Sequence, residues 1–205
     1  MTLQTDVISD SRYVPVLDHG FVGLVDHMGD DAAIVSAARV SYGNGTKSVR
    51  EDRGLIRYLV RHKHTSPLEM CEVKLHLKLP IFVMRQLVRH RTSSLNEYSG
   101  RYSVLTDEMY IPNVENIQPQ STLNKQGRGG EMLESDAIAA RNLIISETKR
   151  QHTVYEALLG EGTLGEHFGF SEEFPGMTRE LARTVMPVAG YTELYWKQNL
   201  HNLFH

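Results

Sequence analysis

The chain has 205 residues, of which 40% are hydrophobic and 23% are charged, and this composition is ordinary for a globular protein with a substantial core. Its formal net charge of −3 argues against a protein whose whole surface binds nucleic acid. The single cysteine, Cys71, excludes an intrachain disulfide and a cysteine-based metal cluster, and it favours a cytoplasmic protein. Residues 1–10 have no signal-peptide pattern, and no apolar run approaches the roughly 20 residues of a membrane span.

The first quarter of the chain predicts two strands followed by two helices. Asp30 and Asp31 supply an acidic start to the first helix, which the glycine-rich residues 43–45 should end. Leu55, Ile56, Leu59 and Val60 recur at helical spacing in the second helix. The predicted ranges are 14–17 and 21–25 for the strands, and 32–40 and 52–64 for the helices.

Residues 72–79 alternate strictly between polar and apolar side chains, which predicts a half-buried strand. Pro80 should start the helix that follows, because a missing N–H is harmless at that position. Cys71 precedes the strand, and we interpret it as a buried structural thiol.

The second half predicts a surface connector over 112–131, a long helix over 132–159 and a loop over 160–176. Lys125 and Arg128 leave open the alternative that the connector is a lid over an anionic ligand. The remaining predicted elements are a short helix over 177–185, a strand over 191–196 and a helical pattern over 198–205. Strands and helices mix without regular alternation, so we predict an α+β fold with a mixed or antiparallel sheet packed with helices.

Residues 89–102 carry the densest set of hydrogen-bonding groups in the chain, and we predict that they run from the C-terminal end of the preceding helix into a loop. The stretch has three arginines against one carboxylate, together with hydroxyl groups and Gly100. Arginine presents a planar fork that suits phosphate and carboxylate, so the stretch predicts an anion site. The alternative is that Arg89 and Arg91 merely stabilise a helix C-terminus.

Several familiar sites are not supported by the sequence. No Gly-x-Gly-x-x-Gly follows a strand, and no P-loop pattern is present. His62 and His64 are two residues apart, which places them on different faces of a helix. His201 and His205 have a spacing that can chelate a metal, but we interpret them as polar residues rather than metal ligands. Ser99 lacks the strained turn of a nucleophilic serine. We therefore predict no metal.

A phosphorylated small molecule or a nucleotide is the natural ligand of such an anion site. RNA is an alternative, because Tyr98 and Tyr102 could stack with bases beside the arginines. The acidic net charge argues against a polynucleotide, which needs an extended cationic surface.

The sequence resembles the flavin-dependent thymidylate synthases. Arg89-His90-Arg91, followed after seven residues by Ser99, is similar to the family signature R-H-R-x7-S, and the similarity continues to Tyr102. Three further segments also resemble the family. They are Ala37-Ala38-Arg39-Val40-Ser41, His64-Thr65-Ser66-Pro67-Leu68-Glu69 and Leu181-Ala182-Arg183-Thr184-Val185-Met186-Pro187.

The resemblance implies the reductive methylation of dUMP to dTMP in a single domain over residues 1–205. Methylenetetrahydrofolate would supply the carbon, FAD would carry the hydride and NADPH would reduce the FAD. It also implies a cytoplasmic homotetramer that shares active sites between subunits and has neither a nucleic-acid nor a membrane partner. The residues agree in one respect, because a cofactor that carries the chemistry needs no activated cysteine, and Cys71 has no activating neighbour in sequence.

The resemblance also implies two sets of site residues. The cofactor set comprises Ser66, Arg89, His90, Arg91, Glu97, Asn199, His201 and His205. The substrate set comprises Gln86, Leu87, Val88, Arg89, Glu97, Tyr98, Ser99, Gly100, Arg101 and Arg183. Arg101, Arg183 and Ser99 would bind the phosphate, and Gly100 would let the backbone approach it.

Structural alternatives exist for some of these residues. Arg183 could pair with Glu180, and Glu97 could pair with Arg101. Arg179 and His62 are assigned structural roles.

The resemblance implies one more segment, of the type Arg-x-Asp-x-His-Ala-Gln, which lies beyond His205 and would supply the catalytic arginine. The sequence therefore predicts a chain truncated before that segment, with impaired turnover or none, which a tritium-release assay would test. A non-catalytic flavoprotein remains an alternative.

Overall fold

A computed structural model describes residues 10–40, 49–161 and 165–205 of the chain. The chain divides into two compact units. The first unit comprises Met1–Leu79, Val83–Tyr98 and Thr192–His205, and the second comprises Pro80–Phe82 and Ser99–Tyr191.

The first unit is built on a five-stranded sheet. Its strands are β1 (Tyr13–Val16), β2 (Gly20–Met28), β3 (Glu72–Pro80), β4 (Ser94–Glu97) and β5 (Tyr191–Asn199). The order in the sheet is β1-β2-β3-β5-β4, and β1 with β2, β2 with β3, and β4 with β5 pair antiparallel. The predicted α+β fold is confirmed.

The alternation predicted for residues 72–79 separates the two faces of the sheet. Leu77 belongs to a buried cluster with Met84, Leu194 and Trp196. On the other face, Lys197 Nζ donates to Glu72 Oε2 at 3.0 Å. A period of two places alternate side chains on opposite faces, so the polar residues of β3 meet polar residues of β5.

Two helices of the first unit pack against each other beside the sheet. They are α1 (Asp31–Arg39) and α2 (Val49–Arg61). Asp30 caps α1, because its Oδ1 accepts the Ala33 N–H at 2.9 Å, as the acidic start predicts. Arg39 Nη1 donates to Asp52 Oδ1 at 2.7 Å, which ties the two helices together. Their apolar faces, together with the 3₁₀ turn Leu68–Met70, enclose a core of Ile34, Leu59, Leu68 and Cys71.

The second unit is organised around the long helix α4 (Glu134–Leu158). Tyr155 of α4 is fully buried, and its hydroxyl oxygen accepts the Leu105 N–H at 3.1 Å. The short helix α5 (Arg179–Ala182) continues as a 3₁₀ turn, Arg183–Val185, which contacts α4. Two further 3₁₀ turns, Val114–Asn116 and Glu166–Phe168, interrupt the long connections on either side of α4.

Most of the predicted elements are confirmed, with shifted ends. Pro80 is the last residue of β3 rather than the first of a helix, and α3 (Ile81–Leu87) follows it. Residues 94–97 form strand β4, although the sequence predicted a loop there. Gln198 and Asn199 complete β5, so the last helix, α6, is confined to Leu200–Leu203. The glycine break predicted at residues 43–45 lies outside the described residues.

The connector over 112–131 is largely irregular, as predicted. Hydrogen bonds from its own side chains hold it together. Gln120 Nε2 donates to the carbonyl oxygens of Lys125 and Gly127, each at 2.8 Å. Arg128 Nη1 donates to the carbonyl oxygen of Asn116 at 2.9 Å. Within the described part of the chain, no helix is both long and apolar enough to cross a membrane.

Candidate active site

The arginine-rich stretch begins where α3 ends, as the sequence predicts. The backbone N–H groups of Arg89 and His90 donate to the carbonyl oxygens of Gln86 and Leu87, at 3.2 and 3.0 Å, and so close the last turn. The side chains of Arg89, His90 and Arg91 are exposed. Neither Arg89 nor Arg91 forms a side-chain hydrogen bond or ion pair with another described residue. Their cationic groups are therefore free to bind an anion.

The pairing of β4 with β5 positions Asn96 and Glu97, the next residues of the signature stretch. Glu97 lies opposite Leu194 in the antiparallel register, and Asn96 lies opposite Tyr195. The Thr192 hydroxyl donates to Glu97 Oε1 at 2.9 Å. The carboxylate is thus held by a strand neighbour, which answers the alternative of an i, i+4 pair between Glu97 and Arg101.

The end of the chain returns to the arginine-rich stretch within the first unit. Asn199 Oδ1 accepts the Asn202 N–H at 3.0 Å and so caps α6. The ring centroids of His205 and His90 are 6.2 Å apart, in an edge-to-face arrangement. His201 lies on the same short helix. The structure therefore brings together two residues of the cofactor set that are 115 positions apart in sequence (205 − 90).

Ser66 reaches the same region through the turn that precedes β3. The Leu68 N–H donates to the carbonyl oxygen of Thr65 at 2.9 Å, and the Ser66 side chain within this turn is exposed. Helix α6 contacts the 3₁₀ turn Leu68–Met70, and the Leu200 N–H donates to the carbonyl oxygen of Cys71 at 3.0 Å. The turn that follows Ser66 and the helix that follows Asn199 are thus in contact.

Two of the predicted phosphate residues, Gly100 and Arg183, lie next to each other in the second unit. Gly100 is buried, and a Cβ built on it would lie 3.0 Å from Leu105 Cδ2 and 3.5 Å from Arg183 Cδ. The Arg101 N–H donates to Ser99 Oγ at 3.3 Å. Gly100, the middle residue of 99–101, is therefore packed beside Arg183, which lies 83 positions later in the chain (183 − 100).

Two further contacts join the same segments. Arg101 Nε lies 3.4 Å from Glu180 Oε1. Arg179 Nη1 donates to the carbonyl oxygen of Tyr102 at 3.1 Å, in keeping with the structural role assigned to Arg179. Glu180 is thus the partner of Arg101, whereas the sequence raised it as a partner of Arg183.

The predicted substrate residues are distributed over both units. The members in the first unit are Gln86, Leu87, Val88, Arg89, Glu97 and Tyr98. The members in the second unit are Ser99, Gly100, Arg101 and Arg183. The division of the chain falls between Tyr98 and Ser99, inside the signature itself.

Sequence reasoning missed two groups that shape the site. The partnership of Thr192 with Glu97 depends on strand register, which the sequence does not reveal. The pairing of Glu180 with Arg101 depends on how two distant segments pack, although the charged run from Arg179 to Arg183 marks the region.

Cys71 behaves as the sequence predicts for a structural thiol. Its side chain is 2% exposed, and Sγ lies 3.5 Å from the carbonyl oxygen of Asp30. Burial raises the pKa of the Cys71 thiol, and the charges of Asp30 and Asp31 raise it further. A raised thiol pKa disfavours the thiolate, so Cys71 is poorly suited to nucleophilic attack.

The rings of His62 and His64 both pack against the ring of Tyr58, His62 tilted and His64 edge-to-face. The Tyr58 ring centroid lies 4.2 Å from that of His62 and 5.7 Å from that of His64. In the described ranges, no group of three His, Cys, Asp or Glu side chains is arranged to hold a metal ion.

The residues of the R-H-R-x7-S signature, Arg89, His90, Arg91 and Ser99, thus lie on an α+β fold whose sheet holds Glu97 of the same stretch. The family model described as thymidylate synthase complementing protein matches residues 23–205, and the chain belongs to this family.

Relatives with known names agree with this assignment. The chain is 53% identical over 194 residues to the flavin-dependent thymidylate synthase of Ruegeria pomeroyi, which covers 95% of this chain and 61% of the relative. It is 53% identical over 192 residues to the flavin-dependent thymidylate synthase of Thermus thermophilus, covering 94% of this chain and 64% of that protein.

A solved structure supports the fold. The UMP/dUMP methylase PolB of Streptomyces cacaoi, in complex with 5-Br UMP, superposes with a TM-score of 0.74 at 32% identity, covering 91% of this chain and 74% of that one.

Proposed function

We propose that the chain is a flavin-dependent thymidylate synthase that methylates dUMP reductively to dTMP. The observation that carries the proposal is the packing of Gly100 beside Arg183, with Ser99 and Arg101 adjacent to Gly100 in the chain. The names of the relatives supply the reaction. The chain spans 61% to 65% of the length of the first relatives that it matches, so the activity of a whole protein is part of the proposal.

The phosphate of dUMP is proposed to bind in the second unit. A phosphomonoester carries between one and two negative charges at pH 7. Arg101 and Arg183 would supply opposite charge, and Ser99 would supply a hydroxyl donor. Gly100 has no side chain, so its backbone can approach the phosphate closely.

The first unit fits an anionic dinucleotide cofactor such as FAD. Arg89 and Arg91 are exposed cations whose side chains have no partner among the described residues. A diphosphate would provide the missing counter-charge. Ser66, His90, Glu97, Asn199, His201 and His205 would supply the other polar contacts, and Thr192 would keep Glu97 oriented. When bound, FAD would supply the hydride transfer that the reaction requires.

The remaining parts of the proposal concern the co-substrates and the assembly. We propose NADPH as the reductant and methylenetetrahydrofolate as the carbon donor. We also propose a homotetramer that shares its active sites between subunits. Sedimentation equilibrium of the purified chain tests the assembly, and a monomer at micromolar concentration would contradict it.

A direct binding experiment tests the proposal without depending on turnover. The purified chain is expected to bind FAD and show flavin absorption bands, and dUMP is expected to perturb those bands. A protein that binds neither ligand would overturn the proposal. Tritium release from labelled dUMP, with NADPH and methylenetetrahydrofolate present, measures turnover separately.

A matched pair of variants tests the residues that carry the proposal. Arg183→Gln removes one phosphate ligand and is expected to weaken dUMP binding about tenfold or more, since a charge-assisted hydrogen bond contributes about 1.5–3 kcal/mol. Arg150→Gln is the control, because Arg150 is an exposed arginine of the same unit that pairs with Glu147. Equal dUMP affinities in the two variants would contradict the assignment of Arg183.

A further inference from the structure

Arg101 already has an anionic partner in the second unit. The Arg101 Nε and Glu180 Oε1 atoms are 3.4 Å apart, and the two side chains are 53% and 54% exposed. Both groups can therefore exchange partners at modest cost, since an ion pair in water is weak.

The contacts around this pair hold its backbone segments in place. Arg179, the neighbour of Glu180, donates to the carbonyl oxygen of Tyr102, the neighbour of Arg101. Gly100 lies against the Arg183 side chain. The Glu180 carboxylate is therefore kept next to the arginine that a phosphate would use, even if the ion pair itself opens.

We propose that Glu180 is the counter-ion that the substrate phosphate replaces on Arg101. The inference rests on the proposed function, because it assigns a role within the same phosphate site. Glu180 acts through Arg101 and is a positioning residue. It holds the guanidinium in place while the site is empty, and it opposes the entry of a dianion.

The Glu180 carboxylate makes the proposed phosphate site less positive. Arg101, Arg183 and Glu180 together carry a net charge of +1, whereas the same site with a neutral residue 180 carries +2. A more positive site binds a dianion more tightly and depends more steeply on salt, because screening acts on the net attraction. Glu180 therefore lowers the affinity for phosphate and reduces the influence of ionic strength on binding.

The test compares Glu180→Gln with Glu147→Gln. Both variants remove an exposed carboxylate that is paired with an arginine in the second unit, but Glu147 pairs with Arg150. We expect Glu180→Gln to lower the Kd for dUMP about two- to fivefold, which is the range of an exposed ion pair. Isothermal titration calorimetry at two salt concentrations should show a steeper salt dependence for Glu180→Gln. Glu147→Gln should match the unmodified chain.

Two controls separate a charge effect from a structural one. Inorganic phosphate should gain affinity in the Glu180→Gln variant, whereas deoxyuridine, which has no phosphate, should not. In a chain that carries Arg101→Gln, the additional change Glu180→Gln should have a smaller effect on dUMP affinity than it has with Arg101 present.

The outcomes distinguish this inference from the proposed function. If the unmodified chain binds neither dUMP nor phosphate, the proposed phosphate site is wrong and the role of Glu180 is wrong with it. If the unmodified chain binds dUMP but Glu180→Gln leaves its affinity unchanged or weakens it, the role of Glu180 alone is overturned.

Discussion

Gly100 is the residue of the second unit where an added side chain would do most harm to phosphate binding. Its Cβ would contact Leu105 Cδ2 at 3.0 Å and Arg183 Cδ at 3.5 Å. The contact with Leu105 is tight, so Leu105 must shift, whereas the contact with Arg183 is of ordinary length. We predict that the Gly100→Ala methyl also blocks the close approach of the phosphate to the backbone and raises the Kd for dUMP about tenfold, measured by calorimetry, because a positioned charge-assisted contact contributes about 1.4 kcal/mol or more.

Gly54 provides a matched control for that substitution. It lies in α2, and a Cβ built there meets nothing within 4 Å. Gly54→Ala should therefore stabilise the helix by about 0.5–1 kcal/mol and leave dUMP affinity unchanged. A larger loss of dUMP affinity in Gly54→Ala than in Gly100→Ala would contradict the local explanation.

Cys71 should make the stability of the fold depend on alkaline pH. Burial raises its pKa in the folded state, so the folded chain holds the thiol proton more tightly than the unfolded chain does. This contribution is fully present below the ordinary thiol pKa of about 8.5 and is lost as the pH rises through the folded-state pKa. Urea unfolding should show a falling free energy of unfolding above about pH 8.5.

Cys71→Ala is expected to reduce that pH dependence, although the smaller side chain lowers stability at every pH. Desolvation also raises the pKa of Tyr13, so Tyr13 contributes in the same direction at a higher pH, above its ordinary value of about 10. An unchanged slope in Cys71→Ala between about pH 8.5 and 9.5 would contradict the assignment to the thiol.

Gln198 is a buried amide whose polar atoms have no partner among the described residues. It is 3% exposed, and both Oε1 and Nε2 are buried without a hydrogen bond. An unsatisfied buried polar group costs about 1–3 kcal/mol, so Gln198→Met should raise the free energy of unfolding by about that amount. Gln126→Met, at an exposed position, should change it by less than about 0.5 kcal/mol. A loss of stability in Gln198→Met would mean that water or a partner satisfies the amide.

At the residue scale, the sequence predicts which side chains are exposed or buried better than it predicts their contacts. The arginines of the signature and the structural role of Cys71 follow from residue type and local pattern. The partners of Glu97 and Arg101 could not be predicted, because Thr192 and Glu180 approach them only through strand pairing and the packing of distant segments.

Among the elements, strand β1 packs against β2 through the ring of Tyr13. The Tyr13 ring lies over Gly23 on the neighbouring strand, where a Cβ would overlap the ring atoms. The Tyr13 hydroxyl is also 3.2 Å from His76 Nδ1 on β3. We predict that Gly23→Ala lowers the free energy of unfolding by about 1–3 kcal/mol through overpacking.

A double-mutant cycle tests whether Tyr13 is the cause. In a chain that carries Tyr13→Ala, Gly23→Ala should cost much less, because the ring that it displaces is gone. Thermal unfolding of the four proteins measures the coupling. Additive losses of stability would show that Tyr13 and Gly23 act independently.

At the element scale, long patterns were more informative than short ones. Strand β3 follows from its strict alternation of polar and apolar residues, and helix α4 follows from 25 consecutive residues without glycine or proline. Strand β4 has four exposed residues and exists because it pairs with β5, so its own sequence carries little signal. The short helix α6 begins after Asn199 because Asn199 caps it, two residues later than the periodicity indicates.

For the whole molecule, the two proposed ligands should protect different parts of the chain. Inorganic phosphate should slow amide hydrogen exchange at residues 99–103 and 179–185 of the second unit. FAD should slow exchange at residues 65–70, 89–97 and 199–205 of the first unit. Mass spectrometry of peptides measures both patterns, and protection of residues 99–103 by FAD but not by phosphate would contradict the division of roles.

The sequence predicts the fold class but not how the chain divides. Composition and element order lead to an α+β fold. The second unit includes residues 80–82, far in sequence from its main segment, because Ile81 and Phe82 donate backbone hydrogen bonds to Gly190 and Val188. The inclusion of residues 80–82 in the second unit depends on tertiary hydrogen bonds, which local sequence propensity does not predict.

The pairing of β4 with β5 fixes the number of residues that can separate Arg91 from Ser99 in the signature. Leu95 lies opposite Trp196, and Glu97 lies opposite Leu194. Deleting Thr92 or Ser93 would either shift the register of β4 and turn Glu97 to the opposite face of the sheet, or keep the register and pull Arg91 toward the strand. The seven residues between Arg91 and Ser99 can therefore vary more easily in identity than in number. A search for distant members of the family should therefore give more weight to the seven-residue spacing between Arg91 and Ser99 than to the identity of any residue within it.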